Sequence, residues 1–144
     1  MAIFLFATLW KTGKLCMKPT TRDWVKKAEN DFKVASQILR RRKDIVPDAA
    51  CFFSQQCLEK YFKARLIEAG IVFPRTHDLL QLLNLCAGVE PLWLAYANAV
   101  DALSDYAVDF RYPGHSATLR EAKLAFKCCR SLRVEARRSL GLKS

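Results

Sequence analysis

Apolar residues recur at helical spacing from about residue 21 nearly to the C-terminus. No stretch alternates apolar and polar positions long enough to make a useful strand. Trp24, Ala28, Phe32, Ala35 and Leu39 share one face of a first helix. Thr20 or Thr21, followed by Asp23, supplies an N-cap signal, and Arg40-Arg41-Arg42-Lys43 places cations at the negative end of the dipole. Pro47 with Asp48 opens a second helix over roughly 47–69, which Gly70 stops. This helix carries two apolar stripes, one through Ala50, Phe53, Cys57, Tyr61 and Ala64, the other through Cys51, Leu58, Phe62, Leu66 and Ala69. A helix apolar on two sides is central, or it faces both a core and a partner subunit. Thr76 caps a shorter, leucine-rich helix, 77–87, and Pro91 opens a fourth that runs to about Phe110. Tyr112-Pro113-Gly114 breaks it, and Thr118 with Glu121 forms a capping box for the last. The pattern predicts an all-α protein, an up-and-down bundle of four long helices and one short one.

Composition sharpens this in three places. A chain of 144 residues is long enough for one domain with a real core, and five Gly and five Pro leave few turns. The formal net charge of +10 is unevenly placed. Residues 18–43 hold nine Lys/Arg against three acids and residues 120–144 eight against two, while 44–119 is net negative with five against nine. Basic outer helices attract polyanions such as nucleic acid or nucleotides; the same charges also serve solubility and helix ends. The six cysteines form no C-x-x-C pair, and Cys51, Cys57, Cys86 and Cys129 fall at apolar helical positions. They read as small buried hydrophobes in a reducing cytosol, and neither a metal site nor a cofactor is expected.

Residues 1–16 do not match the rest of the chain. Met1–Trp10 is apolar, but no charge precedes it, no cleavage site comes after it, and it is too short to span a bilayer. We expect a non-core N-terminal extension, either a start assigned too early, with Met17 as a plausible true start, or a short surface-seeking tail, and a helical domain over 17–144.

Two sets of polar residues could carry chemistry. Arg111 ends one helix and His115 precedes the next, on a turn rigidified by Pro113 and followed by Ser116 and Thr118. A guanidinium suits phosphate, an imidazole exchanges protons near neutrality, and a helix N-terminus holds anions. The set suits metal-independent RNA cleavage, with Arg111 and His115 catalytic. The alternative is that Arg111 pairs with Asp109 or Asp105 and His115 merely fills a turn. Gln55, Gln56, Glu59 and Lys60 interrupt the apolar second helix, with Lys63 four residues after Glu59. They read as a polar network tying this helix to others or to a second subunit; the functional alternative is that Lys60 or Lys63 touches a phosphate. His77, between Thr76 and Asp78, has a local role at a helix start.

Gln55-Gln56-x-x-Glu59-Lys60-x-x-Lys63-Ala64, then Phe73-Pro74-x-Thr76-His77-Asp78-Leu79, then Arg111-Tyr112-Pro113, with Trp24, Ala28 and Asp31-Phe32 early in the first helix, resemble the HEPN domain (higher eukaryote and prokaryote nucleotide-binding) over roughly residues 22–138. The resemblance implies a four- to five-helix bundle that forms a homodimer and partners a minimal nucleotidyltransferase, often as toxin and antitoxin. It implies metal-independent ribonuclease activity in members carrying Arg, four to six residues, then His, two copies meeting to form one site. Here three residues separate Arg111 from His115, one fewer than that pattern, and Tyr112 stands where a small polar residue is usual. The expected function is a cytosolic RNA-cleaving or RNA-binding component of a toxin–antitoxin or defence pair, with Lys60, Lys63, Tyr112 and Ser116 as nucleotide or RNA contacts. The alternatives are a non-catalytic nucleotide-binding or adaptor subunit of the transferase, and a plain helical interaction module.

Overall fold

The computed structural model describes residues 17–109 and 112–144, and of 107–109 the backbone alone. Five α-helices follow in order: α1, Pro19–Arg40; α2, Pro47–Glu68; α3, Leu79–Cys86; α4, Ala97–Asp109, preceded by a 3-10 segment, Pro91–Tyr96; and α5, Leu119–Ser139. No strand occurs among the described residues. The all-α bundle is therefore as the apolar spacing predicts. Residues 1–16 lie outside the described residues.

The two apolar stripes of α2 decide the arrangement. Cys51, Cys57, Leu58, Tyr61, Phe62, Ala64 and Leu66 are fully buried, and α1, α3, α4 and α5 all pack against α2. The two-sided helix is thus the central one. Burying a side chain such as Leu or Phe contributes about 1.5–3 kcal/mol, so a helix buried on both sides dominates the core. α1 runs antiparallel to α2, and their ends are tied: the Lys18 backbone N–H donates to Glu68 Oε2 (3.0 Å), and the Lys18 ammonium donates to the Ile67 carbonyl (3.1 Å). α5 runs parallel to α2. Asp48 of α2 accepts from the Ala117 N–H at one end, and Arg65 donates to Ser139 Oγ (2.7 Å) and Glu90 Oε1 (3.2 Å) at the other.

A charged cluster joins α1, α2 and α5. Arg133 donates to both oxygens of Glu29 (2.7 and 2.6 Å), Arg137 adds a third bond (3.1 Å), and the Tyr61 hydroxyl donates to Glu29 Oε2 (2.8 Å). Burial pushes the Glu29 carboxyl up, but the bonds from Arg133 and Tyr61 and the charges of Arg133 and Arg137 outweigh it and hold it below its ordinary value. Burial above all pushes the Cys51 and Cys86 thiols up to about 12 and Cys128 to about 11. These are inert packing groups, not nucleophiles.

Three helix starts differ from expectation. Pro19, with its φ preset, opens α1 behind Lys18, so Thr20 and Thr21 fall inside the first turn and Thr21 is buried instead of capping. Asp78, not Thr76, caps α3, accepting from the Leu80 and Gln81 N–H groups (3.0 and 3.2 Å), while Thr76 Oγ1 accepts from the Asp78 N–H (3.0 Å). The segment from Pro91 is 3-10 for six residues before it becomes α-helical.

Candidate functional site

The turn before α5 is built from both sides. Gly114 takes φ 95°, a left-handed conformation that a side chain would strain, and the His115 N–H donates to the Tyr112 carbonyl (3.4 Å). On its far side Ala117 is buried and held by Asp48, a residue 69 positions earlier. The expected capping box is present: Thr118 Oγ1 accepts from the Glu121 N–H (3.1 Å), and Glu121 Oε1 accepts from the Thr118 N–H (3.3 Å). The backbone is thus pinned while its side chains are not. Tyr112 is 66% exposed, and His115 and Ser116 are exposed as well. Among the described residues no hydrogen bond or ion pair engages the His115 ring. Arg111 lies outside the described residues. The capping box has one consequence that its sequence motif alone does not convey: the Glu121 carboxylate already sits on the α5 N-terminus, so an anion at this turn relies on side chains more than on the helix end.

The polar row of α2 forms a second, inward-turned set. Glu59 is 3% exposed. Its Oε1 lies 2.6 Å from His77 Nδ1 and 3.5 Å from the Lys63 ammonium. Gln55 Nε2 donates to the His77 carbonyl (3.3 Å) and Gln56 Nε2 to Gln55 Oε1 (2.7 Å). Lys63 also sits 5.5 Å from the centroid of the Trp24 ring, a cation–π contact with α1. Lys60 forms an ion pair with Asp31 of α1. The row therefore ties α2 to α1 and to the 73–78 loop. Both lysines proposed as phosphate contacts are engaged in ion pairs within the bundle, apart from the 112–116 turn in sequence and in role. His77 does more than mark a helix start: its ring is 86% exposed but oriented by a buried carboxylate.

Sequence reasoning missed Asp48 as the anchor of the turn and Trp24 as the partner of Lys63. Asp48 reads as a helix-opening acid, and nothing local in the chain says that its carboxylate reaches residue 117. Among the described residues no three His, Cys, Asp or Glu side chains are grouped to hold a metal ion. No helix among them is long and apolar enough to cross a membrane.

A helical bundle with a polar row on its central helix and an exposed Tyr-Pro-Gly-His turn at the last helix junction defines the class. The sequence model of the HEPN domain matches residues 21–138, and the chain belongs to that family. Its fold is similar to that in the crystal structure of TT1696 from Thermus thermophilus, with a TM-score of 0.64 and 21% identity over 85% of this chain and 99% of that one. Among curated proteins, none matches this chain significantly.

Proposed function

We propose that this HEPN domain acts on RNA, with the turn 111–116 as its working surface. The observation that carries this reading is His115: an exposed imidazole, unengaged among the described residues, on a turn whose backbone is fixed by Gly114, Asp48 and the Thr118–Glu121 box. His115 takes a proton from a ribose 2′-hydroxyl as that oxygen attacks the adjacent phosphorus and closes a 2′,3′-cyclic phosphate; the bond to the 5′ oxygen breaks, and that oxygen leaves as a hydroxyl with a proton taken from water, to which the imidazolium later returns its own. Arg111 balances the charge on the crowded phosphorus, and Tyr112 and Ser116 contact the substrate. Lys60 and Lys63 serve by holding α2 to α1. Two copies of the chain bring two such turns together, and a minimal nucleotidyltransferase is the partner in a toxin–antitoxin or defence setting. The test is cleavage of single-stranded RNA in excess EDTA by wild type and by His115→Ala at equal thermal stability. A loss of ~10²–10⁴-fold is the expected result for removing one proton-transfer group. Equal rates would overturn the catalytic assignment.

One observation favours a second reading. Only three residues separate Arg111 from His115, and the pattern of the active members has four to six. In that reading the same surface binds a nucleotide or the transferase without cutting. The neighbouring reading frame bears on both: a short nucleotidyltransferase there supports the pairing.

A further inference from the structure

The exposed face of α5 carries a feature that the turn alone does not use. Arg120, Lys123, Lys127 and Arg130 are all exposed. At 100° per residue they fall within an arc of about 80°, and at 1.5 Å rise they extend about 15 Å along the helix. Among the described residues none of the four is in an ion pair. This is unlike Arg133 and Arg137 on the inner side, which Glu29 neutralises. Arg120, Lys123 and Lys127 also rim a shallow depression of about 450 Å³, whose other lining is Leu119 and Leu124. Leu124 is 56% exposed, large for a leucine beside three cations. The depression continues into a second of about 380 Å³ between α4 and α5, where Leu124 and Lys127 are joined by Tyr96 and Tyr106. Farther along α5, Arg130 lies 6.0 Å from the ring centroid of Phe126.

We infer that this stripe is the track on which a single RNA strand lies as it enters the turn at 112–116. The inference rests on the RNA reading above and names the surface that reading lacks. Three features of the chemistry converge. Cations at one-turn spacing follow a phosphate backbone. Apolar and aromatic side chains beside them, Leu124 and the tyrosines of the second depression, meet ribose and base faces, as in sequence-tolerant single-strand sites. The stripe also begins two residues after the Thr118 cap, so a strand held there arrives at Tyr112, a 66% exposed ring free to stack on a base, and at His115. An acidic peptide would need the cations but not the trough, and an anionic membrane surface would need a flat face.

The test separates this surface from the catalytic assignment by measuring binding on protein that cannot cut. A fluorescently labelled single-stranded 12-mer RNA is titrated against His115→Ala in the full chain. The same titration is made on His115→Ala carrying Arg120→Ala, Lys123→Ala and Lys127→Ala, and on His115→Ala carrying Lys26→Ala, Lys33→Ala and Arg40→Ala. Both triple sets remove three cations from helices, where Ala is well tolerated. Loss of the α5 set should weaken binding at least tenfold and flatten the dependence of log K on log salt by about 2, at about 0.7 for each phosphate no longer neutralised. The α1 set should leave the salt slope within error of the parent. Equal losses from both sets would reduce the effect to net charge and overturn the inference, as would no loss from the α5 set or no binding by the parent. Competition by polyglutamate, or by vesicles of anionic phospholipid, as effective as that of unlabelled RNA would also overturn it. None of these outcomes depends on whether wild type cleaves.

Discussion

Single side chains in this bundle are most consequential where a charge is buried and answered. Glu29 receives four hydrogen bonds from three residues on two other helices, and its carboxyl is held below the ordinary value of 4.5. A lowered folded-state pKa stabilises the fold fully above the unfolded value and loses that contribution as pH falls through the folded one. Glu29→Gln should therefore cost about 2 kcal/mol at pH 7, the scale of charge-assisted bonds. The gap between mutant and wild type should narrow below about pH 4.5. Urea midpoints from pH 7 to pH 3 check this; a gap that stays constant with pH would show that geometry, not charge, holds the cluster. Glu59 is the second case. Glu59→Ala leaves the nearly buried Lys63 unpaired and frees His77, and should cost about 3 kcal/mol. His77→Ala should cost far less, because that ring is exposed. Legibility at this scale follows sequence distance. The Glu59–Lys63 pair is visible in the chain because a helix brings positions i and i+4 together. Glu29 and Arg133 are 104 residues apart, and Lys60 and Asp31 are 29 apart; no local pattern marks either pair.

Elements are specified where their signals are short and unopposed. The Thr118–Glu121 box lies within one helical turn and forms as its sequence indicates. Thr118→Ala should cost about 1 kcal/mol, measured by urea denaturation, and should also loosen the turn that positions His115. Where two signals compete, the nearer backbone constraint wins. Pro19 precedes the two threonines and starts α1 before either can cap. Asp78 follows Thr76 by two residues and accepts two N–H bonds where Thr76 accepts one from outside the helix. The 3-10 character of Pro91–Tyr96 carries no signal in the apolar spacing, since i, i+3 contacts suit both helix types over so short a run. The Tyr-Pro-Gly break is readable as a turn; its anchoring by Asp48 is not, because that bond exists only once α2 and α5 lie parallel.

At the scale of the whole molecule, the two-sided apolarity of α2 is explained first by its central place in the bundle. Four other helices bury most of both stripes, and Phe53 near the start of α2 and Ala69 at its end stay half-buried. The outer faces also present Leu92, Leu94, Leu119, Leu124 and Tyr112 to solvent. The proposed shared site requires the dimer, because one turn supplies a single Arg111 and a single His115. Sedimentation at micromolar concentration should give twice the chain mass of 16.4 kDa. RNA cleavage per chain should fall on dilution through the dissociation constant, since a site made by two copies is lost when they part, whereas a site complete within one chain keeps its specific activity. A monomer at micromolar concentration with undiminished cleavage would place the whole reaction on one turn. A monomer that binds RNA along α5 but does not cut it would instead match the shortened Arg111–His115 spacing and favour the adaptor reading.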